Sequence, residues 1–97
     1  MKKRILIIDD EAPIQESLSG ILDDEGFNTV CASSAEDGLE MIEEENIDLI
    51  LLDIWLGDNM DGMTALEKIK EIHPHVPVIM ISGHGTIETA VQATRKG

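Results

Sequence analysis

The sequence predicts an α/β domain in which helices pack on both faces of a doubly wound parallel β-sheet. Residues 4–8 are a short apolar run that leads into Asp9 and Asp10, and residues 48–53 repeat this pattern and close on Asp53. Such runs are typical of parallel strands that are buried on both faces. Helical patterns separate the predicted strands, and this alternation indicates right-handed β-α-β crossovers.

The first predicted helix covers residues 12–24. Its apolar side chains recur at intervals of three and four residues, Pro13 lies in its first turn and Gly26 follows its last turn. We expect its buried face to consist of Ile14, Leu18, Ile21 and Leu22.

The same signals predict the other elements. A strand over residues 28–32 is followed by a helix capped by Ser33 or Ser34. A polar loop over residues 57–62 leads into a helix that carries Met63, Leu66, Ile69 and Ile72. The remaining elements are a strand over residues 78–82, a loop over residues 83–85 and a helix over residues 86–96. The glutamate-rich face of the second helix is interpreted as a solvated surface.

Length and charge restrict the possible functions. The 97 residues are enough for a single domain, 1–97, and leave no room for a second one. Twenty acidic and seven basic residues give a formal charge of −13, which would repel a nucleic-acid backbone. Phe27 and Trp55 are the only aromatic residues, so the chain offers little surface for base stacking.

The sequence contains no apolar segment that would cross a membrane and no signal-peptide pattern, so we expect a cytoplasmic protein without membrane contact. Cys31 is the single cysteine and is interpreted as a small buried side chain on a strand.

The carboxylates predict a cation site. Strand ends of a doubly wound sheet meet at one edge, so Asp9, Asp10 and Asp53 should converge there, with Ser82 at the end of the next strand. Converging carboxylates repel one another, and oxygen-only ligands favour Mg²⁺ as the ion that relieves this repulsion. Beside such an ion Asp53 could attack a phosphoryl group as a nucleophile, and the Ser82 hydroxyl could donate a hydrogen bond to that group.

Four segments carry a resemblance to a known family: residues 5–11, 53–56, 61–62 and 80–85, which read ILIIDDE, DIWL, DG and MISGHG. Across its whole length the sequence resembles the receiver domain of two-component response regulators. The segments DIWL and SGHGTIETAV, with a loop one residue longer before Asp61, are most similar to the NtrX-type branch of the NtrC-like regulators.

This resemblance implies a flavodoxin-like receiver fold with strand order 2-1-3-4. It implies that Asp53 is the phosphoacceptor, that Ser82 is the switch hydroxyl and that Mg²⁺ is held by Asp9, Asp10, Asp53 and the backbone carbonyl of Trp55. Such a domain is not an enzyme in the usual sense, although it assists its own phosphotransfer and dephosphorylation.

The resemblance also implies partners. The phosphoryl donor would be a sensor histidine kinase, and full-length relatives carry an ATPase domain and a DNA-binding domain downstream. The family's fifth strand, which bears a lysine, and its fifth helix would follow Gly97, so we expect an incomplete domain that self-associates through its fourth helix or its exposed sheet edge.

Other functions remain open. A receiver-shaped chain that is not phosphorylated would be an interaction or dimerisation module. A phosphohydrolase of the haloacid-dehalogenase type would need a second aspartate two residues after the nucleophile, where this sequence has Trp55. A dinucleotide-binding domain would need a glycine-rich turn after the first strand, and the acidic pair stands there instead.

Overall fold

Four parallel strands form the sheet in the described part of the chain. The computed structural model describes residues 2–54, 56 and 62–81. The strands are β1 (Arg4–Ile8), β2 (Asn28–Ala32), β3 (Leu49–Asp53) and β4 (Val78–Ile81). They lie in the order β2-β1-β3-β4 with every neighbouring pair parallel, which confirms the predicted topology.

Among the described residues, three helices lie on the two faces of the sheet: α1 (Ala12–Asp24), α2 (Ala35–Glu44) and α3 (Gly62–Ile72). Side chains alternate between faces along each strand, so β1 and β3 contribute to two separate clusters. On one side α1 packs over a cluster centred on Ile5, Ile7 and Leu51. On the other side α2 and α3 enclose the larger cluster, which contains Leu6, Ile8, Ile50, Leu52, Leu66 and Ile69.

The end signals predicted for α1 and the cap predicted for α2 are confirmed. The Ser34 hydroxyl accepts a hydrogen bond from the backbone N–H of Asp37 at 3.1 Å, which caps α2. Gly26 follows α1 with a φ of 95°, a left-handed conformation that glycine adopts without strain. Pro13 lies in the first turn of α1, where its missing N–H leaves no helical hydrogen bond unmade.

Some details differ from the sequence-based expectations. Asp48 precedes β3, and its carboxylate accepts a hydrogen bond from the backbone N–H of Arg4 at 2.8 Å. Ile21 and Ile72 were expected on buried helix faces but are 61% and 51% exposed. Both lie at the margin of their helix's apolar stripe, where the 3.6-residue period turns a side chain away from the sheet.

Within the part of the chain that the structure describes, no helix has the length and apolar character needed to cross a bilayer. The predicted helix over residues 86–96 lies outside the described residues.

Cys31 is half-buried on β2, more exposed than expected for a core side chain. Burial, and secondly the Asp23 carboxylate, raise the pKa of its thiol above the ordinary value. The thiolate is the reactive form, so a raised pKa lowers the reactive fraction at every pH below it.

We expect iodoacetamide to alkylate the Cys31 thiol of the folded chain several-fold more slowly at neutral pH than that of the urea-unfolded chain, with a rate that increases as the pH rises. Equal rates for the two states at neutral pH would contradict this expectation.

Candidate functional site

Three carboxylates come together at the carboxyl edge of the sheet. Ile8 of β1 pairs with Leu52 of β3, so the residues that follow them, Asp9 and Asp53, lie side by side. With Asp10, each offers a carboxylate oxygen, and these oxygens all lie within 4.8 Å of one another. This acidic cluster lies at the ends of the neighbouring strands β1 and β3. The strand order reverses between these two strands, which is where ligands bind in doubly wound sheets.

The acidic cluster is partly closed to solvent. Asp9 and Asp53 are both 0% exposed, whereas Asp10 is exposed at the mouth of the site. Two unit charges about 5 Å apart repel by about 3 kcal/mol at an effective dielectric of about 20. The fold therefore holds two buried carboxylates at a separation where a counter-charge would stabilise both.

The donor set fits Mg²⁺. Each contributing atom is a carboxylate oxygen, the ligand type that this ion prefers. The oxygens lie within 4.8 Å of one another, so a single small cation placed among them would contact more than one carboxylate.

Asp9 is held by the backbone that follows it. The N–H of Glu11 donates a hydrogen bond to Asp9 Oδ1 at 2.8 Å, which fixes the rotamer of this carboxylate. The N–H of Asp9 donates to the carbonyl oxygen of Ala32 at 3.0 Å and extends the β1–β2 pairing by one residue. These two hydrogen bonds restrain the side chain and the backbone of the first acidic residue of the site.

Asp53 is held by the close approach of α3. The N–H of Gly62 donates to the carbonyl oxygen of Ile54 at 3.0 Å, and the N–H of Ile54 donates to the carbonyl oxygen of Ile81 at 3.0 Å. A Cβ atom at position 62 would lie 2.2 Å from the carbonyl oxygen of Asp53, so only glycine fits there. The sequence placed Gly62 at the end of a polar loop and gave no sign of this contact.

Gln15 is a site neighbour that the sequence did not indicate. From the first turns of α1, its carboxamide Nε2 donates to the carbonyl oxygen of Asp9 at 2.6 Å and to that of Ala32 at 3.2 Å. Ser33 Oγ lies 3.4 Å from the same nitrogen. Helical periodicity identifies position 15 only as polar, because the acceptors come from two strand ends that are distant in sequence.

Two of the predicted site residues, Trp55 and Ser82, lie outside the described residues. Their neighbours are described: Ile54 and Leu56 are buried beside the end of β3, and Ile81 ends β4 next to Asp53. The backbone-carbonyl role of Trp55 and the switch role of Ser82 stay predictions.

Comparisons of the sequence and of the structure with known proteins point to the same family. The family model described as "Response regulator receiver domain" matches residues 5–97. The nitrogen assimilation regulatory protein NtrX of Azorhizobium caulinodans is 50% identical over an alignment 98 positions long, which covers 100% of this chain and 22% of that protein. This chain spans about a fifth of the length of the curated NtrX-like relatives it matches.

Solved structures show the same similarity. The receiver domain of NtrX from Brucella abortus superposes with a TM-score of 0.90 at 50% identity, covering 96% of this chain and 78% of that one. The beryllofluoride-activated NtrC4 receiver domain, solved as a dimer in solution, superposes with a TM-score of 0.86 at 41% identity, covering 97% and 77%.

Proposed function

This chain belongs to the response regulator receiver domain family, and we propose that it accepts a phosphoryl group on Asp53 in a Mg²⁺-dependent reaction. The observation that carries the proposal is the acidic cluster. Two neighbouring strands deliver three carboxylate oxygens to within 4.8 Å of one another, two of them from fully buried residues. The mutual repulsion of carboxylates held this close together opposes folding, and a bound cation would offset it.

In the proposed reaction an Asp53 carboxylate oxygen attacks the phosphorus of a phosphohistidine on a sensor histidine kinase. The new P–O bond forms as the P–N bond breaks, and the imidazole nitrogen keeps the bonding electron pair and takes up a proton. The product is an acyl phosphate on Asp53. The rigid end of β3, fixed by Gly62 and Ile81, holds the attacking carboxylate in place and limits the number of orientations it can adopt.

Asp9, Asp10 and Asp53 would hold the Mg²⁺ ion, together with the backbone carbonyl of Trp55. When bound, the ion neutralises negative charge on the phosphoryl oxygens and on the attacking carboxylate. Asp10 is the exposed member of the acidic cluster, so its carboxylate would be the first to contact an ion that enters from solvent.

The output of the domain would be a change in its contacts with a partner. We infer that the Ser82 hydroxyl moves toward the phosphoryl group to donate a hydrogen bond to it. The helix predicted over residues 86–96 would then change its affinity for a second copy of the chain. Two observations support self-association: a relative's activated receiver is described as a dimer, and β4 lies at one edge of the described sheet, with Ile79 51% exposed. The NtrX relatives suggest that residues 1–97 act as the receiver unit of a transcriptional regulator.

Intact-mass spectrometry tests the phosphoacceptor proposal. We expect incubation with acetyl phosphate and Mg²⁺ to add the mass of one phosphoryl group to the chain, and chelation of the metal to prevent it. Asp53→Asn should abolish the adduct because an amide is a very weak nucleophile. Asp24→Asn, which removes a carboxylate from the exposed surface of α1, is the matched control and should leave the adduct intact.

Two outcomes would contradict the proposal. An adduct that persists in Asp53→Asn would move the acceptor to another residue. A chain that stays unmodified although it is folded and supplied with Mg²⁺ would favour the interaction module that keeps the receiver shape without accepting phosphate.

A further inference from the structure

We propose that Gln15 is a positioning residue for the acidic cluster, because its carboxamide fixes the direction in which Asp10 presents its carboxylate. This inference rests on the proposed Mg²⁺-dependent function. The main structural observation behind it is the hydrogen bond of 2.6 Å that Gln15 Nε2 donates to the carbonyl oxygen of Asp9. That carbonyl belongs to the peptide group between Asp9 and Asp10.

The peptide groups on both sides of Asp10 are restrained. Gln15 holds the preceding one through its carbonyl oxygen, and Asp9 Oδ1 holds the following one through the N–H of Glu11 at 2.8 Å. Peptide groups are planar, so fixing two successive planes also fixes the Cα–Cβ direction of the residue between them. Asp10 is exposed, yet a hydrogen bond restrains the peptide group on each side of it.

The donor chemistry of Gln15 suits this role. A carboxamide has two N–H donors on one nitrogen, and here three oxygens surround that nitrogen: those of Asp9, Ala32 and Ser33. Both backbone acceptors are carbonyl oxygens, so only the nitrogen, and not the oxygen, of the carboxamide can face them. Gln15 therefore ties the end of β1 to the end of β2 at the level of the acidic cluster.

Residues that orient metal ligands from outside typically change metal affinity by about 10- to 100-fold when they are removed. The restraint acts on one of three carboxylates, so we expect Gln15 removal to lower the Mg²⁺ affinity by about tenfold, at the lower end of this range. The effect should fall on Mg²⁺ affinity and leave the reactivity of Asp53 unchanged once the site is filled. Within the described part of the chain, the Gln15 carboxamide bonds to Asp9, Ala32 and Ser33, none of which lies on β3.

The test uses Gln15→Met, which keeps the length and helix propensity of the side chain but removes both donors. Mg²⁺ binding is measured by isothermal titration calorimetry, and the rate of phosphorylation by acetyl phosphate is measured across a range of Mg²⁺ concentrations. We expect the dissociation constant and the half-saturating Mg²⁺ concentration to rise about tenfold. The rate at saturating Mg²⁺ should stay within about twofold of the parent, since the restraint acts on ion affinity.

Two further variants complete the design. Gln15→Asn keeps the carboxamide but is one methylene too short to reach the carbonyl of Asp9, so it should weaken Mg²⁺ binding in the same way. Ser17→Ala, on the exposed surface of α1, should bind Mg²⁺ as the parent does.

The outcomes separate the two levels of the argument. A folded Gln15→Met chain that binds Mg²⁺ as tightly as the parent would overturn the positioning role and leave the proposed function standing. A parent chain that binds no Mg²⁺ would overturn both. A variant whose saturated rate falls while its Mg²⁺ affinity is unchanged would place Gln15 in the phosphotransfer step and would also overturn the positioning role.

Discussion

Gly62→Ala is expected to lower the free energy of unfolding by about 3 kcal/mol or more, the upper end of what overpacking usually causes. The added Cβ would lie 2.2 Å from the carbonyl oxygen of Asp53, 2.5 Å from that of Ile54 and 2.6 Å from the Cα of Ile54. All three are backbone atoms of the end of β3, so no side-chain rotation relieves the clash. Urea unfolding followed by circular dichroism would measure the loss.

Other glycines of the chain provide matched controls. A Cβ at Gly38 would meet Ile8 Cδ1 at 2.5 Å, a flexible side-chain end, so Gly38→Ala should destabilise by only about 1–2 kcal/mol. At Gly20, in the middle of α1, a Cβ meets nothing within 4 Å, and alanine there should stabilise the helix by about 1 kcal/mol. If Gly62→Ala were no more harmful than Gly38→Ala, α3 would have to move freely against β3.

A rearrangement at position 62 would also reach the site. The displaced atoms include the carbonyl of Asp53 itself, so a surviving Gly62→Ala chain should show weakened Mg²⁺ binding in addition to lower stability. The contact between α3 and the end of β3 thus links the packing of the domain to its chemistry.

The sequence was sufficient to predict the sheet and the location of the carboxylates. Apolar runs that end in acidic residues predicted that strands deliver Asp9, Asp10 and Asp53 to one edge of a parallel sheet, and the pairing of Ile8 with Leu52 confirms this. The strand order 2-1-3-4 was implied by the resemblance to the receiver family. Helix caps such as Ser34 are equally local, because the capping hydroxyl and the N–H it accepts from are three residues apart.

The parts that the sequence did not reveal depend on contacts between distant segments. Gln15 reaches carbonyl oxygens on β1 and β2, and Gly62 touches the end of β3, so neither role is encoded in local spacing. For Ile21 the sequence predicted burial that the structure does not show. An apolar residue at the edge of a helical stripe fits the periodic pattern whether or not it is buried.

Asp9→Asn is expected to change stability in opposite directions without and with Mg²⁺. Asp9 and Asp53 are 0% exposed, and their carboxylate oxygens lie within 4.8 Å. Without the ion, removing one charge relieves a repulsion of about 3 kcal/mol at an effective dielectric of about 20. The asparagine side chain is nearly the same size, and its oxygen can still accept the hydrogen bond from the N–H of Glu11. We therefore expect the free energy of unfolding to rise by about 1–2 kcal/mol, part of the relieved repulsion.

With excess Mg²⁺ the order should reverse. A ligand that binds only the folded state stabilises it by about 2.7 kcal/mol when its free concentration is about 100 times the dissociation constant, and Asp9→Asn would lose that gain with its ligand. Urea unfolding of both chains, without Mg²⁺ and in large excess, measures the crossing. Asp10→Asn is the matched control: its carboxylate is exposed, so water screens the repulsion and the gain without Mg²⁺ should be small, while the loss with Mg²⁺ remains. If Asp9→Asn were less stable than the parent without Mg²⁺, hydrogen bonding within the site would outweigh the repulsion, and charge relief would not be the reason that the acidic cluster binds a cation.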